Sequence, residues 1–301
     1  YRKRLKMKQR RRYDMLMRTY EYAVENRDKI VKDIDLKASR ELIEDAKKIW
    51  KNYTPTPKKK NLAGIDSSWN FIPYQGFYLF VVEAVSMLED CSHTVEPLFE
   101  VGLSTLSIEE NEEIVYDPRT RLQSLGMEFE YRLAVDSIGK VDYLLVDGSV
   151  LARFYDRRRK KPIKFYEYAR KLMGEENLAF ISKTSSSNTI FGGFLGDMFY
   201  FNHASLSTGY SEPYYDNIGV SIFYARLAEG TPCIRIEAPG KLNCSEVEKL
   251  LDIFKASSVS GYPYVLRLAH EQCKVSIEDL ERLANTLGLN VEIGGREVLG
   301  E

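Results

Sequence analysis

The sequence of 301 residues is poor in the side chains on which several kinds of chemistry depend. It has four cysteines, Cys91, Cys233, Cys244 and Cys273, and none is spaced from another as C-x-x-C. Zinc-ribbon and thioredoxin-like readings are thereby excluded, and reduced thiols in a cytoplasmic protein are expected. Histidine is as scarce, with only His93, His203 and His270. No apolar run approaches the roughly 18–20 residues of a membrane span, so no membrane partner is expected. The opening Tyr1-Arg-Lys-Arg-Leu-Lys lacks an apolar stretch, and a secretory leader is not expected. There is no GxxxxGK[ST], and Gly192-Gly193 does not supply one, which argues against a P-loop nucleotide site.

What the sequence does hold is a core and a divided charge. At 44% hydrophobic and 12% aromatic residues it lies far from the disordered class. The net charge of −1 conceals a split. Residues 1–60 carry 20 Lys/Arg against 9 Asp/Glu, and residues 61–301 carry 23 against 35. Eight of the first twelve residues are basic, which fits either a solvated arm or a polyanionic partner.

Helical spacing without Gly or Pro predicts helix through residues 1–51, and Thr54-Pro-Thr-Pro closes it. We therefore expect a basic helical extension over 1–60 and a second unit over 61–301. In the second unit, strands are predicted at Asn61–Asp66, Gly76–Met87 and Val95–Leu103. The last is an edge strand, because Pro97 cannot donate to a ladder. A helix follows at Arg119–Ile138, then a strand at Val141–Asp147. Further strands are read at Leu178–Ser182, Gly219–Ala225 and Cys233–Glu237. The chain ends in helices opened by a Ser245–Glu248 capping box, by Pro263 and by Ser276–Asp279.

Three strands, a crossover helix and a fourth strand make the element order of an α/β, ribonuclease H-like mixed sheet flanked by helices. In that order the first and fourth strands are central neighbours, which puts Asp66 and Asp147 side by side. Paired carboxylates suit a hard divalent cation. Each also fits a plain turn, as Asp66-Ser-Ser and Asp147-Gly-Ser. The crossover helix offers Glu128 and Glu130, which fall on different helix faces, so only one can point at the site. Lys183, opening the Thr-Ser-Ser-Ser turn, fits a phosphate contact or a polar loop. His270 fits a helix rim, or a nitrogen ligand that favours manganese over magnesium. The run Arg157-Arg158-Arg159-Lys160-Lys161, with Arg153 before it and Phe154, Tyr155, Phe165 and Tyr166 interleaved, suits a nucleic acid backbone with unpaired bases.

Four stretches in order, Gly64-Ile-Asp66-Ser-Ser, Val146-Asp147-Gly-Ser, Ile181-Ser-Lys183-Thr and Gly261-Tyr-Pro-Tyr264 with Leu268-Ala-His270, resemble the NurA family of nucleases across about residues 61–275. The resemblance implies a ribonuclease H-like, manganese-dependent nuclease, with magnesium as the alternative ion. It implies a homodimer that degrades single-stranded DNA and resects duplex ends with a HerA-type hexameric translocase. It also makes Asp66, Asp147, His270 and a helical acid, taken as Glu128, the metal ligands, and puts Lys183 beside the scissile phosphate. Two alternatives stand beside it: a DNA- and motor-binding adaptor without chemistry, and a Piwi-like RNA nuclease.

Overall fold

The computed structural model describes residues 17–31, 38–105, 117–155 and 163–289. The basic start and the 157–161 run, proposed above as phosphate contacts, lie outside the described residues. The chain runs through short helices α1 (17–25) and α2 (Arg27–Val31), then α3 (Ala38–Ile49). The first strands are β1 (Trp50–Asn52), β2 (Leu62–Pro73), β3 (Phe77–Leu88) and β4 (Leu98–Thr105). The crossover helix α4 (Pro118–Ser137) leads to β5 (Tyr143–Asp147), α5 (Val150–Tyr155), α6 (Ile163–Leu172) and β6 (Leu178–Ser182). After α7 (Asp197–Ala204) come β7 (Gly209–Ser211), β8 (Tyr214–Tyr215), β9 (Val220–Arg226) and β10 (Ile234–Pro239). The chain closes through α8 (Cys244–Ala256), the β11/β12 ribbon (Ser258–Val259 and Tyr262–Pro263), α9 (Tyr264–Gln272) and α10 (Ile277–Thr286).

One sheet organises these elements, in the order β1-β7-β9-β10-β6-β5-β2-β3-β4, with β8 paired to β9. β2, β3 and β4 form an antiparallel meander, and β4 is the free edge that Pro97 predicted. β5 joins β2 in parallel, and β6 joins β5 in parallel. This is the ribonuclease H-like arrangement expected from the element order. It exists because β5 is buried on both faces and must be covered twice. Leu144, Val146 and Phe180 pack on one face with Met127 and Tyr131 of α4. Leu145, Ala179 and Ile181 pack on the other with α8 and with Val265 and Leu266 of α9.

Three expectations need correction. The first strand does not end at Asp66 but runs on to Pro73, paired with β3 as far as Pro73↔Tyr78. Trp69 and Phe71 alternate with Ile72 onto two different clusters, and that alternation carries the strand past the two serines. Helix does not continue to residue 51, because Trp50–Asn52 form β1 and pair with β7 in the main sheet. The helix after β10 is capped by Asn243 and Glu246 rather than by Ser245 and Glu248. The predicted Ser276–Asp279 capping box is present at α10. No helix among the described residues is long and apolar enough to cross a membrane.

Candidate metal centre

The site forms where the β2–β5 ladder stops. That parallel pairing ends at Ile65↔Val146, so Asp66 and Asp147 are the first residues beyond it on adjacent strands. Two glycines bring a helix close to β2 on each face. A Cβ at Gly64 would lie 2.6 Å from the Leu266 nitrogen and closer still to the Val265 carbonyl. Only glycine therefore lets the first turn of α9 rest on the strand. One turn later, His270 Nδ1 comes within 2.9 Å of Asp66 Oδ2. On the opposite face, a Cβ at Gly126 of α4 would stand 2.9 Å from Ser67 Oγ. One turn on, Glu130 Oε1 accepts from that hydroxyl at 2.5 Å.

The structure thus brings Asp66, Asp147 and His270 together, with one donor atom from each within 4.8 Å of the others. Lys183 joins them: its Nζ lies 3.7 Å from Asp147 Oδ2 and 4.6 Å from the centre of the Tyr262 ring. Tyr262 donates its hydroxyl to Asp147 Oδ1 at 3.1 Å. Asp66 Oδ1 accepts the Ser67 N–H at 2.8 Å. All of these acids and Lys183 line one open cleft of about 990 Å³.

Glu128 is not among them, and the acid that α4 contributes to the cleft is Glu130. Leu122, Gly126, Glu130 and Ala134 recur every four residues along the buried stripe of α4, and Glu128 falls off it. That periodicity was the available signal. Arg153 is also corrected as a free phosphate contact. Its Nη2 is 2.5 Å from Glu130 Oε2 and donates to the Asp147 carbonyl at 2.9 Å, with the guanidinium over the Tyr131 ring. Tyr262 and Ser67 take part in the site without having been assigned a role from sequence.

The electrostatics fit a cation. Burial pushes the Asp66 carboxyl up to about 7, with repulsion from Asp147 and Glu130 adding to it and the His270 and Ser67 hydrogen bonds opposing it. Burial likewise raises Glu130, while Arg153 and Ser67 pull it down. Tyr262 is held far above its usual range by burial and by Asp147, so its proton stays on the hydroxyl. Among the described residues lining the cleft, buried Arg153 is paired with Glu130, buried Arg235 is paired with Glu237, and half-exposed Lys183 lies beside Asp147. Two carboxylates and an imidazole this close, short of positive charge, match the donor set of a divalent transition ion.

Sequence comparison decides the lineage: a family model described as the NurA domain matches residues 60–275, most of the chain. The chain belongs to the NurA family. Its relatives include a probable DNA double-strand break repair nuclease NurA of Methanocaldococcus jannaschii, 24% identical over 93% of this chain and 92% of that protein. The DNA double-strand break repair nuclease NurA of Sulfurisphaera tokodaii is 24% identical over 91% and 96%. Among solved structures, the NurA nuclease from Sulfolobus solfataricus superimposes with a TM-score of 0.72 at 21% identity, covering 91% of this chain and 97% of that one. A NurA bound to dAMP and manganese gives 0.64 at 14% identity, covering 90% and 97%. These superpositions establish a shared NurA fold across nearly the whole length.

Proposed function

We propose that this NurA-family chain is a manganese-dependent DNA nuclease that hydrolyses phosphodiester bonds at the β2–β5 junction. The observation that carries this is the convergence of Asp66, Asp147 and His270 donors within 4.8 Å in an open cleft. The names of the relatives, which are double-strand break repair nucleases, support the substrate, and the manganese and dAMP held by a NurA of the same fold support the ion.

In this reading Asp66 and Asp147 hold the ion and His270 completes the set, with magnesium the weaker alternative because of the imidazole. When bound, the ion supplies Lewis acidity and offsets charge that builds on the phosphate. Tyr262 occupies Asp147 Oδ1 and leaves Oδ2 facing Lys183 and the cleft. The Ser67 N–H fixes Asp66 Oδ1 and leaves Oδ2 turned to His270. The Lys183 ammonium is placed to pair with a phosphate oxygen. Glu130 is locked between Ser67 and Arg153 and supplies the third negative charge. The finer reading, single-strand digestion and 5′-end resection by a homodimer working with a HerA-type translocase, rests on the family resemblance.

Asp66→Asn and Asp147→Asn should each fold normally by circular dichroism yet lose manganese-dependent cleavage of labelled single-stranded DNA. Full activity in either would sink the site assignment. DNA binding with no cleavage by the unaltered protein in manganese would favour the adaptor reading. Equal cleavage of matched RNA would favour an RNA nuclease.

A further inference from the structure

The cleft extends past the acids, and its two far walls differ in chemistry. One wall is a hydroxyl-bearing loop, Ser182 and Thr184 to Ser187, continuous with Lys183. Hydroxyls beside a lysine suit a sugar–phosphate backbone. The other wall is α5, which starts three residues beyond Asp147 and ends on Tyr155. Of the four aromatics interleaved with the basic run, Phe165 is fully buried with Phe154 edge-on against it. Tyr166 is exposed but does not line the cleft, whereas Tyr155, 57% exposed, does.

Two features make this ring a fixed surface rather than a loose one. Its hydroxyl donates to Asp216 Oδ1 at 3.1 Å, and Asp216 is itself buried and accepts the Ile218 N–H at 2.9 Å. The start of α5 is tied to the sheet by Glu237, which takes Ser149 Oγ at 2.5 Å and the Leu151 N–H at 3.0 Å. The Glu237 charge is balanced by Arg235 at 2.6 Å. The ring is therefore held at both ends of its helix, and a surface ordered in advance loses little entropy when a ligand stacks on it.

We infer that Tyr155 is a specificity-determining platform on which an unpaired base stacks, next to the nucleotide whose phosphate reaches Lys183. With backbone on the hydroxyl wall and base on the tyrosine wall, the cleft takes one strand. A base in a duplex is already paired and stacked, and has no face to give. The inference rests on the nuclease reading for its substrate, and goes beyond it by naming the residue that selects single strands.

The test is binding, measured by fluorescence anisotropy in calcium, which the carboxylates accept in place of manganese. The probes are a labelled oligothymidylate, the same strand with abasic sites, and a blunt duplex, at one fixed salt concentration. Tyr155→Ala should weaken oligothymidylate binding roughly tenfold or more, the usual loss for one stacked base. Tyr155→Phe keeps the ring but loses the Asp216 anchor, so it should bind more weakly than the unaltered protein and more tightly than Tyr155→Ala. The abasic strand should bind the unaltered protein and Tyr155→Ala equally weakly, and the duplex should not distinguish them. Equal binding of intact and abasic strands by the unaltered protein would overturn the inference, as would its failure to bind oligothymidylate. Should the base dependence hold while manganese supports no cleavage, the nuclease reading falls and the platform stands. Normal cleavage with no effect of Tyr155→Ala on binding removes the platform alone.

Discussion

Gly64→Ala adds a single methyl group two residues before Asp66 on β2, and the structure sets its cost. The new Cβ would stand 2.6 Å from the Leu266 nitrogen, in the first turn of α9. Contact between such atoms is comfortable near 3.5 Å, so α9 must retreat by about 1 Å. Backbone stands on both sides, so no side-chain rotation relieves the clash. Overpacking of this kind costs about 1–3 kcal/mol, which in a chain of this size lowers the melting temperature by roughly 2–6 °C. The larger effect is on the site. His270 rides on α9, and its 2.9 Å contact with Asp66 would open to about 4 Å, beyond hydrogen-bond reach. A misplacement of 1 Å can cost on the order of 100-fold in rate. Thermal melting with and without manganese, together with a manganese titration of cleavage, separates the two effects. The variant should melt slightly early, gain less stability from manganese than the unaltered protein, and need much more metal for half-maximal cleavage. Melting and metal response both unchanged would refute the claim that the Gly64 contact positions His270.

Other expectations follow from the buried charges. Glu130→Gln should leave Arg153 without its opposing charge and cost about 3–5 kcal/mol, as breaking a buried pair does, whereas Glu128→Gln should change urea stability by under about 0.5 kcal/mol. Adding Arg153→Met to Glu130→Gln should restore much of that stability without restoring cleavage, and recovery of both would show that Glu130 serves only the fold. For pH, the Asp66 carboxyl titrates at about 7 in the folded metal-free protein, above its unfolded value of 3.8. The folded state then holds the extra proton, so this group's contribution is fully present below about pH 4 and is lost as pH rises through 7. Urea unfolding in EDTA at several pH values should show that slope in the unaltered protein and its reduction in Asp66→Asn, and identical slopes would contradict the shift. Manganese competes with the same proton, so the metal needed for half-maximal binding should fall as pH rises through 7.

The meander, the crossover and the two acids were legible because each rests on local pattern. β3 and β5 are apolar runs, α4 is a long uninterrupted helix, and Pro97 marks the sheet edge. What was not legible depends on contacts made by distant segments. Asp66-Ser-Ser has the composition of a turn, and only pairing with β3 keeps it extended. Choosing Glu130 over Glu128 needed the sheet-facing stripe of α4, which Gly126 disguises because it carries no side chain. Arg153 stood in a basic run and was read by its charge, although the buried acid it neutralises lies on α4. β1, β7 and β8 are two or three residues long, too short to show any periodicity.

Asp66 and His270 touch across 204 residues of sequence. A ribosome adding 5–20 residues per second needs roughly 10–40 s to make that stretch. Until β5 is made the growing chain lacks Asp147 as well as His270, and from then until α9 is made the proposed binding site is one ligand short. The same separation means that a chain stopped anywhere between β2 and α9 lacks His270 even if the central strands fold. A protein proposed to degrade the genome's own polymer thus completes its proposed set of metal ligands only after α9 has been made.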